Sequence, residues 1–325
     1  LKEAEKTLRL ALEARPRERA PLQWGRNLNG LSEVLFSIGQ RNGTATAEME
    51  EAAKGFRDAL LEVTRERSPV DWATIQNNLA STSLVIGMRK QDVAMIEEAS
   101  TLFRGPIEVF KRDCSPQDWA TTRVNFGNAQ QALGKIKDDP AKLTEAIALY
   151  NEALQQITRE HDPMNWAVVQ AMLGSTLEAL ASRGGGLEMY KQSISAKQAS
   201  LTVYTKENSG LEWAEAQLNL GNSLAMVGNF EKGTESYDLA LIAYNASMEV
   251  FTRDTNPLKW GLAQNGIGDV YWGYGTRRND NKAFEESIAR FELAKGALSE
   301  AGMTSMAALL DNKIKIIQDT LASKQ

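Results

Sequence analysis

Trp24, Trp72, Trp119, Trp166, Trp213 and Trp260 follow one another at intervals of 48, 47, 47, 47 and 47 residues. Few features restrict a chain more. Self-similarity at a fixed period of this size marks a solenoid or array, in which each copy buries its apolar face against its neighbours and the core grows by addition. The 325 residues are therefore expected to form one elongated array and not two or three ordinary domains.

The surroundings of each Trp read as the start of a helix. Three residues earlier stands Pro21, Pro69, Pro116, Pro163, Gly210 or Pro257, and four earlier stands Ala20, Ser68, Ser115, Asp162, Ser209 or Asn256. A capping side chain followed by proline at the first helical position, where its missing N–H costs nothing, is a start signal. Ser68 with Asp71, Ser115 with Asp118 and Ser209 with Glu212 have the spacing of a capping box. Seven residues after each Trp comes a large apolar residue, such as Leu79 or Phe126, and eight after comes a small one: Ser32, Ala80, Gly127, Gly174, Gly221 or Gly268. The small residue is expected to let a second helix approach closely. Fifteen after the Trp stand Gly39, Gly87, Gly134, Ala181, Gly228 and Gly275, which suit a left-handed residue ending the first helix. A second amphipathic helix follows a polar loop, as in LTEAIALYNEALQQITRE, with Ala146, Tyr150 and Ala153 on one face.

Asn219, Leu220, Gly221 and Gly228, together with EAIALYNEAL from Glu145 to Leu154, resemble the two halves of the tetratricopeptide (TPR) motif. Ala146, which matches the small residue of that motif's second helix, lies 27 residues after Trp119, so the loop is longer than in a repeat of about 34 residues. The chain is similar to long bacterial TPRs that carry Pro-x-x-Trp-Ala followed by Gln-Asn-Asn-Leu. The resemblance implies an all-α, right-handed α-solenoid of about six helical hairpins in a single repeat domain over 1–325. Its units start near 21, 69, 116, 163, 210 and 257, and a capping helix with a polar outer face covers 304–323, with Ala307 where a seventh Trp would fall. Two departures are expected: Pro106 interrupts the second helix of its repeat, and Arg183 to Gly186 form a flexible glycine-rich connection.

Composition removes several functions. A net charge of −5 with no basic stripe argues against nucleic acid and anionic membrane as partners. One cysteine, Cys114, and one histidine, His161, leave no disulfide framework and no His-paired metal or catalytic site. Without a long apolar run or a signal peptide the chain reads as cytoplasmic. It begins at Leu1 within a helical pattern, as expected of a segment cut from a longer protein. No enzyme motif stands out: GIGDVYWG from Gly266 lies inside a first helix, and RGGG at Arg183 lacks the lysine and Ser/Thr of a phosphate cradle. No cofactor is expected.

The six Trps recur at one phase and are expected to be structural anchors between successive copies. The basic–acidic pairs Arg17–Glu18, Arg65–Glu66, Arg112–Asp113, Arg159–Glu160, Lys206–Glu207 and Arg253–Asp254 are expected to complement the end of one helix and the start of the next. The TPR resemblance implies a concave groove lined by first-helix residues, with Asn29, Asn77, Asn128, Gln131, Asn222, Asn265, Asp269 and Trp272 as partner contacts. The position of the first lysine of a carboxylate clamp holds Asn29, Asn77, Val124, Ala171, Leu218 and Asn265, so that clamp is not expected. Tyr271, Trp272 and Tyr274 break the repeat's phase and are either core beneath the cap or a hot spot for a partner. The resulting expectation is a non-catalytic scaffold or sensor binding a protein or peptide, fused to an effector in bacterial signalling, with self-assembly through the array ends as the alternative.

Overall fold

The structure, a computed structural model, describes residues 1–42 and 45–324 and is helical without strands among them. It divides into two compact units, Leu1–Thr158 and Arg159–Gln325. The first holds α1 (Lys2–Ala14) and three hairpins: α2 (Pro21–Arg41) with α3 (Ala47–Leu60), α4 (Pro69–Lys90) with α5 (Val93–Leu102) and α6 (Arg104–Val109), and α7 (Pro116–Ile136) with α8 (Pro140–Ala153). The second holds α9 (Pro163–Leu180) with α10 (Gly186–Leu201), α11 (Gly210–Phe230) with α12 (Glu235–Met248), α13 (Pro257–Arg278) with α14 (Asn281–Glu300), and α15 (Thr304–Ala322). Each is a stack of helical hairpins, the α-solenoid arrangement expected.

Each of the six periodic Trps sits in the first turn of its helix, and its backbone N–H closes that turn on the capping residue's carbonyl at 2.8 to 3.0 Å. Side-chain capping is rarer than the sequence suggests. Asp162 and Asn256 accept from the N–H three residues on, at 3.3 and 3.1 Å. Ser68 does not, because its hydroxyl donates to the Asp71 carboxylate at 2.6 Å, and neither Ser115 nor Ser209 makes a side-chain cap. The capping boxes are therefore not formed.

The glycines fifteen residues after the Trp are not left-handed helix ends. They lie inside helices that run on for two or three more residues, while the positive φ angles belong to Gln91, Asp138, Asn279 and three other glycines. What they supply is closeness. A Cβ on Gly39 would lie 2.6 Å from Met49, on Gly134 2.7 Å from Leu143 and on Gly275 2.7 Å from Phe284, each at the start of the paired helix. The small residue eight after the Trp does the same at the hairpin's middle: a Cβ on Gly127 would lie 2.7 Å from the Tyr150 ring, and one on Gly268 2.6 Å from Phe291.

Pro106 interrupts the second helix of its repeat as expected, splitting it at Phe103 into α5 and α6. The Arg183–Gly186 stretch is the glycine-rich connection between α9 and α10, and its backbone leaves the helical region at Arg183, with φ −103°. The chain kinks there, with Gly184 at φ 104° and Gly186 at φ 71° redirecting it into α10.

Trp119 is buried, and the other five periodic indoles are only partly so. Four of the six indoles carry the basic residue seven positions earlier over their rings: Arg17, Arg65, Arg112 and Arg253 stand 5.2, 5.4, 5.6 and 5.8 Å from the rings of Trp24, Trp72, Trp119 and Trp260. The same cations reach the end of the second helix in the hairpin that follows them, and not the helix they have just left. Arg17 pairs with Glu62 at 2.7 Å, Arg65 with Glu108 at 3.0 Å and Lys206 with Glu249 at 2.8 Å, while Arg112 and Arg159 donate to the carbonyls of Gln155 and Thr202. Arg17 and Arg65 thus combine an indole contact with an ion pair, and Arg112 combines one with the Gln155 carbonyl at a helix C-terminus. The partner acids point elsewhere: Glu66 and Glu207 are held below the usual carboxylate range by their own backbone N–H and by Thr64 and Thr205.

α15 packs Ala307, Leu310, Ile314 and Ile317 against α14. Its outer face is less polar than expected, since Leu309 and Ile316 are 64% and 51% exposed.

Candidate binding cleft

The eight groove residues are distributed over both units. In the first, Asn29 donates to Glu33 at 2.9 Å, and Asn78 of the next first helix donates to both, at 3.2 Å to Asn29 and 2.7 Å to Glu33. Asn77 keeps a buried carbonyl oxygen without a partner. Asn128 accepts the Tyr150 phenol at 2.7 Å, and Gln131 lies one turn further along α7.

The other four come together. Asn222, Asn265, Asp269 and Trp272 line a cleft of about 640 Å³ in the second unit, walled by α11 and α13, with Glu178 of α9 at one side and Tyr237 and Tyr244 of α12 behind. The tyrosines reach this face because glycines let them through. A side chain on Gly221 or Gly266 would overlap the Tyr244 ring, and one on Gly228 or Gly273 the Tyr237 ring. Each phenol then donates to an amide of the cleft, Tyr244 to the Asn222 Oδ1 at 2.9 Å and Tyr237 to the Asn229 Oδ1 at 2.6 Å. Asn265 takes its hydrogen bond from the Lys313 Nζ at 3.3 Å. With the carbonyl oxygens so engaged, the amides of Asn222 and Asn265 keep their NH2 groups as further donors among the lining residues.

The two carboxylates of the cleft are paired with lysines of the protein, while the Arg277 Nη1 is buried without a hydrogen-bond partner. Asp269 pairs with Lys313 at 2.6 Å, and burial nonetheless raises its carboxyl above the ordinary value, against the pull of that ammonium. Glu178 binds Lys197 and also accepts from Ser223 at 2.9 Å. Arg277 lies over the Tyr237 ring at 4.3 Å and donates to the carbonyls of Gly228 and Glu231, capping the C-terminus of α11.

Lys197 was not among the residues expected at this site. It is 1% exposed and donates to the Ser223 hydroxyl at 2.7 Å and the Asn219 carbonyl at 2.8 Å as well as to Glu178. Desolvation lowers its pKa, and Glu178 opposes that shift. The signal was present in the repeat. The positions about 31 residues after each Trp read Phe56, Phe103, Tyr150, Lys197, Tyr244 and Phe291, so one copy exchanges a ring for an ammonium. A second missed signal is the seven-residue spacing shared by Tyr237 and Tyr244 and by Gly266 and Gly273.

The phase-breaking aromatics divide. Tyr274 is buried, donates to Asp238 and has its phenol pushed well above the ordinary range by burial. Tyr271 packs beside it at 5.9 Å. Trp272 alone faces the cleft, with its ring edge-on to Phe291 at 6.5 Å.

A second recess of about 500 Å³ opens on the same three first helices nearer their N-termini. It is mostly apolar, with Val168, Ala171 and Met172 of α9, Leu211 of α11 and Phe251 among its lining. Among the described residues no helix is long and apolar enough to cross a membrane, and no cluster of three His, Cys, Asp or Glu could hold a metal ion.

No family model and no curated protein matches the chain. Solved structures do resemble it. YrrB, a TPR protein with an unusual peptide-binding site, is 20% identical, covers 80% of this chain and 99% of its own, and has a TM-score of 0.47. BtubC (BKLC) from P. vanneervenii is 12% identical over 79% of this chain and 90% of its own, at 0.47. A Rap protein complexed with competence and sporulation factor is 8% identical over 93% and 78%, at 0.41. Identities and scores this low bear on none of the residues of the cleft.

Proposed function

We propose that the chain is a non-catalytic interaction module, a single array of long TPR-like repeats opened by Pro-x-x-Trp, which binds a peptide or domain of another protein. The observation that carries this reading is the cleft of the second unit, where Asn222, Asn265, Asp269 and Trp272 converge from α11 and α13. Recesses of this size with a few oriented polar groups and an aromatic wall are the usual form of a recognition site. Asn29, Asn77, Asn128 and Gln131 are proposed as a further partner surface in the first unit. The test is selection from a random-sequence dodecapeptide library against the full chain. Selected peptides are expected to bind the wild type and to lose at least about tenfold in affinity against Trp272→Ala, one of the contacts expected to act as a hot spot. Failure to select any peptide would overturn the reading.

The exposed Leu309 and Ile316 on α15 favour a second reading, self-association through that end. Sedimentation velocity over a hundredfold concentration range decides it. Leu309→Ser with Ile316→Ser should abolish any oligomer, and a monomer throughout rejects the idea.

A further inference from the structure

The recess near the N-termini of α9, α11 and α13 shares no lining residue with the cleft. Its walls are apolar at Val168, Ala171, Met172, Leu211 and Phe251, and two of its polar side chains stand out against them. One is Tyr204, which is 4% exposed and lines the recess, yet its phenol makes no hydrogen bond among the described residues. In steps of 47 residues the same position reads Val63, Phe110, Ile157, Tyr204, Phe251 and Leu298. A single hydroxyl is thus added to a slot that is otherwise apolar. Burial pushes this phenol up to about 12, and the Glu212 charge adds to the shift, so the group keeps its proton at neutral pH.

The other is the Glu212 carboxylate, exposed in the first turn of α11. The other hairpin junctions show what a charge at this position takes. The residue just before a periodic Trp meets the residue two after the preceding one: Asp71 accepts from Arg26 at 2.7 Å, and Lys259 binds Glu215 at 2.6 Å. Between α9 and α11 the same two positions read Val168 and Glu212. Both line the recess, and Glu212 makes no ion pair among the described residues. Since Glu215 and Lys259 neutralise each other, the recess carries one unmatched negative charge.

We propose that this recess binds a small organic cation, an apolar body ending in an ammonium. The body lies against Val168, Met172, Leu211 and Phe251, and the ammonium donates to the Glu212 carboxylate and the Tyr204 phenolic oxygen. It takes the role that Arg26 has against Asp71. An ammonium has several donors and no acceptor, which suits two oxygens side by side. The volume of about 500 Å³ is that of a small-molecule site, where apolar walls carry a few placed polar groups. No residue of the peptide-binding cleft takes part.

Isothermal titration calorimetry of the full 325-residue chain with phenylbutylammonium, phenylbutanol and phenylbutyrate compares three head groups on one apolar body. The ammonium should bind at least about tenfold more tightly than the alcohol, because its hydrogen bonds are charge-assisted, and the carboxylate should not bind. Glu212→Gln should bring the ammonium down to the affinity of the alcohol. Tyr204→Phe, the residue that two other copies carry, should weaken the ammonium about threefold or more. Unchanged melting temperatures in both variants separate lost binding from lost fold. Val168→Arg supplies the protein's own cation at the position Arg26 holds, and should abolish binding while the melting temperature holds or rises. A lysine capped at both termini, whose stem lacks the phenyl ring, should bind at least about tenfold more weakly than phenylbutylammonium. Equal affinity would give the recess to a lysine side chain of a partner protein and overturn the inference. So would an alcohol that binds as tightly as the ammonium, an ammonium indifferent to Glu212→Gln, or no binding of any probe. Each of these outcomes leaves the cleft untouched, which Trp272→Ala tests on peptides.

Discussion

The Lys197 ammonium donates to the Ser223 hydroxyl at 2.7 Å, in a slot that holds an aromatic ring in each of the other five copies. Its aliphatic stem takes the place of the ring: a Cβ on Gly174 would lie 2.8 Å from Lys197 Cγ, as one on Gly221 would from Tyr244. The head is then buried and must be matched, which Glu178, Ser223 and the Asn219 carbonyl do. Lys197→Ala should destabilise by about 3 kcal/mol, at the low end of the range for breaking a buried pair, because the Glu178 side chain keeps 28% exposure. Lys197→Phe combined with Glu178→Gln removes both charges and restores the ring. It should fall within about 1.5 kcal/mol of the wild type, since a packed apolar replacement of a buried pair is often neutral. Urea titrations of the three proteins measure this.

Stability should also respond to pH through the same group. Burial lowers the Lys197 pKa in the folded state, so between that lowered value and the unfolded value near about 10.4 the unfolded chain binds more protons. Stability relative to Lys197→Met therefore rises with pH across that window. Paired denaturation curves at pH 7, 8.5 and 10 check the sign, and a difference that shrinks as pH increases contradicts the assignment.

Two glycine substitutions should move stability in opposite directions. Gly134→Ala forces a Cβ to 2.7 Å from Leu143 Cδ2 and 3.1 Å from its backbone N, and overpacking of this kind costs about 1–3 kcal/mol. Gly210 stands where five other copies have proline, nothing lies within 4 Å of its would-be Cβ, and Ser209 before it already has φ −153°. Gly210→Pro should stabilise by about 0.4–1 kcal/mol by restricting the unfolded chain. Differential scanning calorimetry reads both.

Among the periodic indoles, Trp119 is the buried one and has two guanidinium groups near its ring, Arg123 at 3.9 Å and Arg112 at 5.6 Å. Trp119→Ala should cost about 3–5 kcal/mol, the range for removing a buried aromatic side chain. Trp24→Ala, at a partly exposed ring, should cost clearly less. Equal losses would mean that the exposed face of Trp24 contributes as much as the buried one of Trp119.

The helices and their pairing were legible in the sequence because they depend on local chemistry repeated six times: proline at the first turn, a small residue opposite a large one, an indole at constant phase. The errors have a common cause. Ser68 was expected to cap the helix but donates to Asp71, and Arg65 was expected at the end of α3 but reaches Glu108 at the end of α6. In each, the partner is chosen by three-dimensional competition that spacing alone does not rank. Gly39 and Gly134 illustrate the same point, since a small residue near a helix end suits both a left-handed turn and a close crossing, and only the neighbouring helix decides. Half of the expected contact residues fall together in the cleft, whereas Asn29 is drawn into a ladder with Asn78. Lys197 and the tyrosines behind the cleft escape a reading built on recurring residues, because the burial of Lys197 shows only where one copy departs from the ring that the other five carry.

Hydrogen–deuterium exchange of the full chain with and without a selected peptide tests the cleft most directly. Slowed exchange confined to segments 171–182, 211–230 and 259–278, with α10, α12 and α14 unchanged, is the expected result. Protection appearing instead on those second helices, or only within residues 1–158, would contradict it.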